Sequence, residues 1–175
     1  MIEQRRESPP RFRGVSIYQD PLGRFAFRHP STWNTFELPD GHEGALFSPE
    51  ASAPQTYLAA WANRLPESVV AEDLDLLSSG MAEGLARLNS CEVLESHDDA
   101  VGNLVRLERL YTFSDDDVVR QRRVWVLYVD TWQIVLVYQG ESRQEYDYWS
   151  PMGNYSFATF DLAQDLWFST ERACS

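Results

Sequence analysis

Lysine is absent from the sequence, because all 15 of its lysine or arginine positions hold arginine. A chain without lysine forms no Schiff base and has neither a lysine general base nor a phosphate-loop lysine, so the enzymes that depend on these groups are excluded. Cysteine is scarce as well. Cys91 and Cys174 show no metal-ligand spacing, and the second lies close to the C-terminus, which predicts two free thiols in a reducing compartment.

Long hydrophobic runs are also missing. No stretch approaches the roughly 18 apolar residues of a transmembrane helix. The N-terminal residues MIEQRRESPPRFR do not contain the apolar core of a secretion signal. These absences predict a protein without a membrane span or a cleaved leader, and therefore a cytoplasmic one.

Positive charge is limited to a few places. The formal net charge is −12, which argues against nucleic-acid binding because phosphate affinity requires a basic surface. The segment 1–13 is the exception, since its arginines outnumber its glutamates. We expect residues 1–13 to be a disordered basic tail, residues 14–168 to be one folded domain and residues 169–175 to be a frayed C-terminus.

Alternating apolar segments predict an antiparallel α+β domain. Phe25 and Phe27 alternate with polar or small residues, which is the period of a half-buried strand, and further strand-like segments follow. The turn-like segments DPLG, PDGHEG, HDDAVG and SDDD separate them. Residues 132–138 are mostly apolar or aromatic, which indicates a central strand. We predict a single antiparallel sheet of about six to nine strands, flanked by helices in an α/β/α layered arrangement.

A long helix is predicted between the two groups of strands. It extends from about Glu67 to Asn89, where apolar residues recur at the spacing of one helix face, at Val70, Leu74, Leu77, Met81, Leu85 and Leu88. Gly80 and Gly84 lie inside this helix. Their spacing predicts close packing of the helix on the sheet.

A second helix is predicted near the C-terminus. Pro151 either occupies its first turn behind a Ser150 cap or lies within it. Tyr146, Tyr148 and Trp149 follow one another too closely for all three to face inward from one helix. We therefore predict that part of this aromatic group forms an exposed interaction surface.

No catalytic motif is present. His29 and Ser31 lie close together in GRFAFRHPSTW, but neither a nucleophile elbow nor an orienting acid accompanies them, so we interpret both as turn residues. His42 and His97 also fall in predicted turns, and no histidine pair has the spacing of a zinc site. We predict no metal, no cofactor and no enzymatic activity.

Arg120, Arg122 and Arg123 form the densest basic segment of the acidic body. Cross-strand ion pairs with the segment that contains Glu108 are one interpretation. The alternative is a concave arginine cluster that binds an anion, because the guanidinium fork matches a carboxylate or a phosphate.

Two groups of residues resemble those of a known family. The first contains Tyr18-Gln19-Asp20, Gly23 to Phe27, Pro30 and Trp33, and the second contains Trp149, Met152 and Ser156-Phe157. In this order, over about residues 15–160, they resemble the PsbP/Mog fold superfamily. The motifs are core and turn signatures. The resemblance therefore implies structural roles, and no functional ones, for Phe25, Phe27, Pro30, Trp33 and Phe157.

The resemblance implies a central antiparallel sheet flanked by helices, in a binding or assembly factor rather than a catalyst. Photosystem-associated, Ran-binding and bacterial secretion-adaptor proteins share the scaffold, while the signal or lipoprotein cysteine of exported members is missing here. The leading hypothesis is a non-catalytic interaction or adaptor module, monomeric or weakly dimeric, with an unknown protein partner. The alternative is a domain that binds an anionic or aromatic small molecule between sheet and helix.

Overall fold

The structure, a computed structural model, describes residues 8–167. The predicted frayed C-terminus and the first part of the predicted tail lie outside these residues. The described chain contains β1 (Val15–Gln19), β2 (Phe25–Pro30), β3 (Asn34–Phe36), β4 (Gly44–Ser48), β5 (Tyr57–Arg64), α1 (Leu74–Ala86), β6 (Glu92–Val101), β7 (Leu104–Asp115), β8 (Val118–Val129), β9 (Trp132–Gly140), α2 (Arg143–Ala158) and β10 (Asp161–Leu162).

The strands form two antiparallel sheets. The larger has seven strands in the order β3-β4-β5-β9-β8-β7-β6, and the smaller has three in the order β1-β2-β10. The predicted α+β class with an antiparallel sheet is confirmed, but the strands divide between two sheets. The β1-β2 hairpin has no strand pairing with the large sheet, and the short strand β10 extends it, because Leu162 pairs with Phe25. That contact joins distant parts of the chain, and local sequence patterns do not reveal it.

The strand β6 is longer than predicted and forms one edge of the large sheet. The turn predicted at HDDAVG is wrong, because β6 continues to Val101. Two ion pairs connect β6 to β7. Asp98 pairs with Arg109, and Asp99 pairs with Arg106 at 2.8 Å. Charged side chains on an edge strand discourage its pairing with another chain. In the sequence, these consecutive acidic residues have the composition of a turn, which explains the wrong prediction.

The main hydrophobic core lies between α2, the small sheet and one face of the large sheet. Phe25, Phe27, Pro30, Trp33 and Phe157 are all buried there. The helix α2 begins behind Ser142, whose hydroxyl accepts a hydrogen bond from a backbone N–H of the first turn. Pro151 therefore lies inside the helix, and the Ser150 cap is not used.

A second hydrophobic cluster lies on the opposite face of the large sheet, under α1. This helix runs from Leu74 to Ala86, so it is shorter than the pattern predicts. The close packing predicted for Gly80 and Gly84 is wrong. A Cβ atom added at either position would meet no atom within 4 Å. Both glycines face a groove between the helix and the sheet.

His29 belongs to the core and not to a turn. It is the fifth residue of β2 and is only 7% exposed. Its ring stacks on Phe47 with the ring centroids 3.9 Å apart, and its Nδ1–H donates to the Pro30 carbonyl at 3.1 Å. The interpretation of His29 as a turn residue is therefore wrong, because its strand alternation with Phe25 and Phe27 outweighs the following proline.

Acidification is expected to destabilise the fold through His29. Burial lowers the pKa of this imidazole below its usual 6.5, against the opposing effect of the hydrogen bond to Pro30. The unfolded chain therefore binds the proton more readily, and the free energy of unfolding falls as the pH decreases below about 6.5. Urea denaturation between about pH 7.5 and about pH 5 measures this dependence. His29→Gln should flatten it, and equal pH slopes for the two proteins would contradict the assignment.

Candidate functional site

The aromatic surface predicted on α2 is only partly exposed. Tyr146 is 6% exposed, and its ring lies 4.6 Å from that of Tyr138, so it belongs to the core and not to an interaction surface. Tyr148 and Trp149 are partly buried. The Trp149 Nε1–H donates to the Glu145 carboxylate at 3.1 Å. Only two of the three predicted aromatic residues therefore reach the surface.

A cavity of about 650 Å³ adjoins Tyr148 and Trp149. Trp33 and Met152 line it on one side, and residues 8–11 line it on the other. The nearby Phe12 packs against Tyr155, with 5.2 Å between the ring centroids. A segment of the chain itself therefore forms a wall of this cavity.

The three predicted anion-binding arginines do not converge. Arg123 faces α2, where it donates to Asn154 at 2.7 Å and to Glu108 at 3.2 Å. Arg120 and Arg122 face the opposite side of the sheet, because alternate residues of a strand point to opposite faces. Arg120 is paired with Asp115 at 3.0 Å. The predicted cluster is therefore reduced to Arg122.

Arg122 lies in a row of polar residues that crosses four adjacent strands. Tyr57 on β5 is opposite Gln139 on β9, Gln139 is opposite Arg122 on β8, and Arg122 is opposite Tyr111 on β7. The guanidinium donates to the Gln139 Oε1 at 3.0 Å, to the Tyr57 hydroxyl at 3.2 Å and to the Tyr111 hydroxyl at 3.3 Å. We call these four residues the arginine row.

The arginine row is held in a fixed orientation. Gln139 donates from Nε2 to the Gln55 carbonyl at 2.9 Å, which directs its oxygen towards Arg122. The Phe113 ring covers one face of the guanidinium at 4.8 Å. Burial lowers the pKa of Arg122, but the nearby Tyr111 and Tyr57 oxygens outweigh burial and raise it above its usual value. The guanidinium is therefore a permanent cation.

Arg122, which is partly buried, differs from the buried arginines in lacking an acidic partner. Arg24, Arg109 and Arg120 each pair with an aspartate. Within residues 8–167, no carboxylate pairs with Arg122, and its hydrogen-bond acceptors are neutral oxygens. A cation that is partly removed from water is usually paired with an anion, because desolvation of an unpaired charge is costly.

Two separate cavities lie on the same face of the sheet as the arginine row. A cavity of about 390 Å³ separates the helix from β8 and β9, and Gly80 and Tyr128 line it. A second cavity, of about 220 Å³, lies between β5 and the segment after β3, and Leu38, Tyr57 and Trp61 line it. Tyr57 thus belongs both to the lining of the second cavity and to the arginine row. We call the two cavities and the strand surface between them the sheet groove.

The three histidines lie on separate parts of the structure. His29 is buried in β2, while His42 follows the turn Pro39–Gly41 and His97 lies on the edge strand β6. Among residues 8–167, no cluster of three or more histidine, cysteine or acidic side chains is placed to bind a metal ion.

No protein-family model and no curated protein matches the sequence. Solved structures do match the fold. The solution structure of cyanobacterial PsbP from Synechocystis superposes with a TM-score of 0.60 at 13% identity, over 85% of this chain and 92% of that one. The chain has a PsbP/Mog-like fold. The resemblance predicted from the core motifs is thereby confirmed.

A second match comes from a different organism. LpqN of Mycobacterium tuberculosis, described as involved in cell envelope biogenesis, superposes with a TM-score of 0.59 at 10% identity, over 86% of this chain and 91% of that one. At such low identity these matches show the fold and do not transfer a site. Neither α1 nor α2, the α-helices defined in the described chain, combines the length and apolar character needed to cross a membrane.

Proposed function

We propose that this chain is a non-catalytic protein-interaction or adaptor module that binds its partner in the sheet groove. The observation that carries the proposal is the uneven cover of the large sheet. The helix α1 packs over β6, β7 and β8, where Ser78 donates to Asp98 at 2.6 Å and Leu85 joins the core. The groove lies beside it, over β8, β9 and β5.

The groove has the chemistry of a protein-binding surface. Tyr57, Trp61 and Tyr128 are only partly buried there, and they stand over a floor of buried aliphatic side chains, among them Val135 and Val137. Tyrosine and tryptophan dominate binding energy at protein interfaces, since they bury a large area and retain a polar atom. The proposed function therefore assigns these aromatic residues to partner contact.

Binding of an anionic small molecule is the second candidate function. The unpaired cation of Arg122 at the end of the groove favours it, and the aromatic lining of the smaller cavity suits an aromatic acid. Affinity for such a compound would appear as a rise in melting temperature, because a ligand that binds only the native state stabilises it.

Blocking the groove without disturbing the fold tests the proposed function. Gly80→Arg places a long charged side chain at the groove wall, where an added Cβ meets no atom within 4 Å, and it removes a glycine from a helix. Ser79→Arg adds the same charge at the neighbouring exposed position outside the groove lining. Partner capture from the native host should fall at least about tenfold for Gly80→Arg, the loss expected from about 1.4 kcal/mol of binding energy.

The matched variant decides how that result is interpreted. Ser79→Arg should capture the same partner as the unmodified chain, with both variants showing the same cooperative unfolding. Equal capture by both arginine variants would show that the partner binds elsewhere, and loss in both would indicate a general charge effect.

A further inference from the structure

We infer that the arginine row binds a carboxylate of the protein partner, at the end of the sheet groove. This inference rests on the proposed function for the identity of the partner. The chemistry of the bound group is inferred from the contacts that Arg122 makes.

The need for an anion follows from the surroundings of the cation. Arg122 contacts the oxygens of Gln139, Tyr57 and Tyr111, and none of these carries a negative charge. The chain has 27 acidic residues, and aspartates among them pair with the buried Arg24 and Arg109. An arginine that is left with neutral acceptors inside so acidic a protein retains its full positive charge for an incoming group.

The number of free donors indicates a carboxylate. The Tyr111 hydroxyl accepts from Arg122 and donates to no acceptor within the described residues, and Arg122 Nη1 makes one hydrogen bond there. The Tyr111 hydroxyl and Arg122 Nη1 thus offer two donors beside one positive charge. A carboxylate matches them, because it has two oxygens and one negative charge. A phosphate would bring a second negative charge, and the adjacent Arg120 is already paired with Asp115.

The apolar surroundings indicate that the carboxylate belongs to an apolar segment. Tyr57 lines the cavity of about 220 Å³ together with Leu46, Ala59 and Trp61, and its hydroxyl lies 3.2 Å from Arg122 Nη2. A peptide that fills this cavity therefore places a neighbouring acidic side chain within reach of the arginine row. The partner segment combines aromatic or aliphatic residues with one acid.

A matched pair of short peptides tests the chemistry. N-acetyl-Leu-Asp-Phe-amide and its asparagine counterpart differ only in the carboxylate, and their binding is measured from NMR shift changes of the chain. The aspartate peptide should bind about tenfold or more tightly, the effect of one charge-assisted hydrogen-bonded pair. Phenylacetate and phenylacetamide form a second pair that tests binding of free acids.

Three variants separate recognition from folding. Gln139→Glu places a carboxylate where the Gln139 oxygen now accepts from Arg122, so it should abolish preference for the acidic peptide. The new ion pair with Arg122 offsets the lost hydrogen bond from Gln139 Nε2 to the Gln55 carbonyl, so cooperative unfolding should be retained. Arg122→Met should abolish the same preference. Arg106→Gln removes one arginine from the opposite face of the neighbouring strand, where its pairing with Asp99 is exposed, and should leave the preference unchanged.

Each outcome has a defined meaning. Preference for the aspartate peptide that is lost in Gln139→Glu and kept in Arg106→Gln supports the inference. Binding of phenylacetate without any peptide preference would overturn the assignment to a polypeptide and favour a small-molecule site. Equal binding of acids and amides would overturn the inference altogether, while the Gly80→Arg capture experiment would still test the proposed function by itself.

Discussion

Replacing Phe27 by alanine is expected to lower the free energy of unfolding by about 3 to 5 kcal/mol, the usual cost of truncating a buried phenylalanine. Phe27 is 1% exposed. Its ring lies 5.2 Å from that of Tyr18 and 6.2 Å from that of Phe47, so it joins the small sheet to the large one. Alanine would leave a cavity between the two sheets at this contact.

Chemical denaturation of Phe27→Ala and Ile17→Ala measures this contribution. Ile17 lies on the neighbouring strand β1 and is 66% exposed, so its truncation should change the free energy of unfolding by less than about 0.5 kcal/mol. Similar losses in the two variants would contradict the assignment of Phe27 to the core. They would indicate that the β1-β2 hairpin contributes little burial to the fold.

Replacing Gly153 by alanine is expected to destabilise the protein by about 2 to 3 kcal/mol, although alanine favours helix formation. A Cβ atom at this position of α2 would lie 2.6 Å from the Tyr138 ring. That ring is fully buried in β9, and its hydroxyl donates to the Tyr146 carbonyl at 2.6 Å. Because the ring is fixed from both ends, the helix has to move away from the sheet.

Gly80→Ala is the matched control for this substitution. Gly80 also lies within a helix, but an added Cβ there meets no atom within 4 Å. The same replacement should therefore stabilise the protein, by up to about 1 kcal/mol. Urea denaturation should show shifts of opposite sign for the two variants. Shifts of the same sign would contradict the packing described for α2.

Local sequence patterns predict most of the fold. The alternation around Phe27 and the apolar run at 132–138 correspond to β2 and to the central strand β9. Patterns fail where long-range contacts decide the outcome. The acidic residues of β6 have the composition of a turn, and only their pairing with β7 identifies them as part of a strand. His29 precedes a proline as a turn residue often does, and only its contact with Phe47 identifies it as a core residue.

The candidate site was predictable only in part. Asp115 pairs with Val118 and Val129 pairs with Trp132, so two tight turns set the register of β7, β8 and β9. Counting outward from these turns places Tyr111, Arg122 and Gln139 in one row. The position of Tyr57 in this row cannot be predicted by such counting, because β5 pairs with β9 and the two strands are far apart in the sequence. The extent of the uncovered groove also depends on the length of α1, and the apolar spacing predicts a longer helix than the structure contains.

Site-specific photo-crosslinking in the native host tests the central claim most directly. Replacing Tyr128 by p-benzoylphenylalanine keeps an aromatic ring at the groove lining, and the same probe at Ile17 samples an exposed apolar position on the small sheet. The account predicts a crosslinked partner from position 128 that is absent at position 17 and lost when Gly80→Arg is added. Crosslinking from position 17 alone, or crosslinking from position 128 that persists with Gly80→Arg, would contradict it.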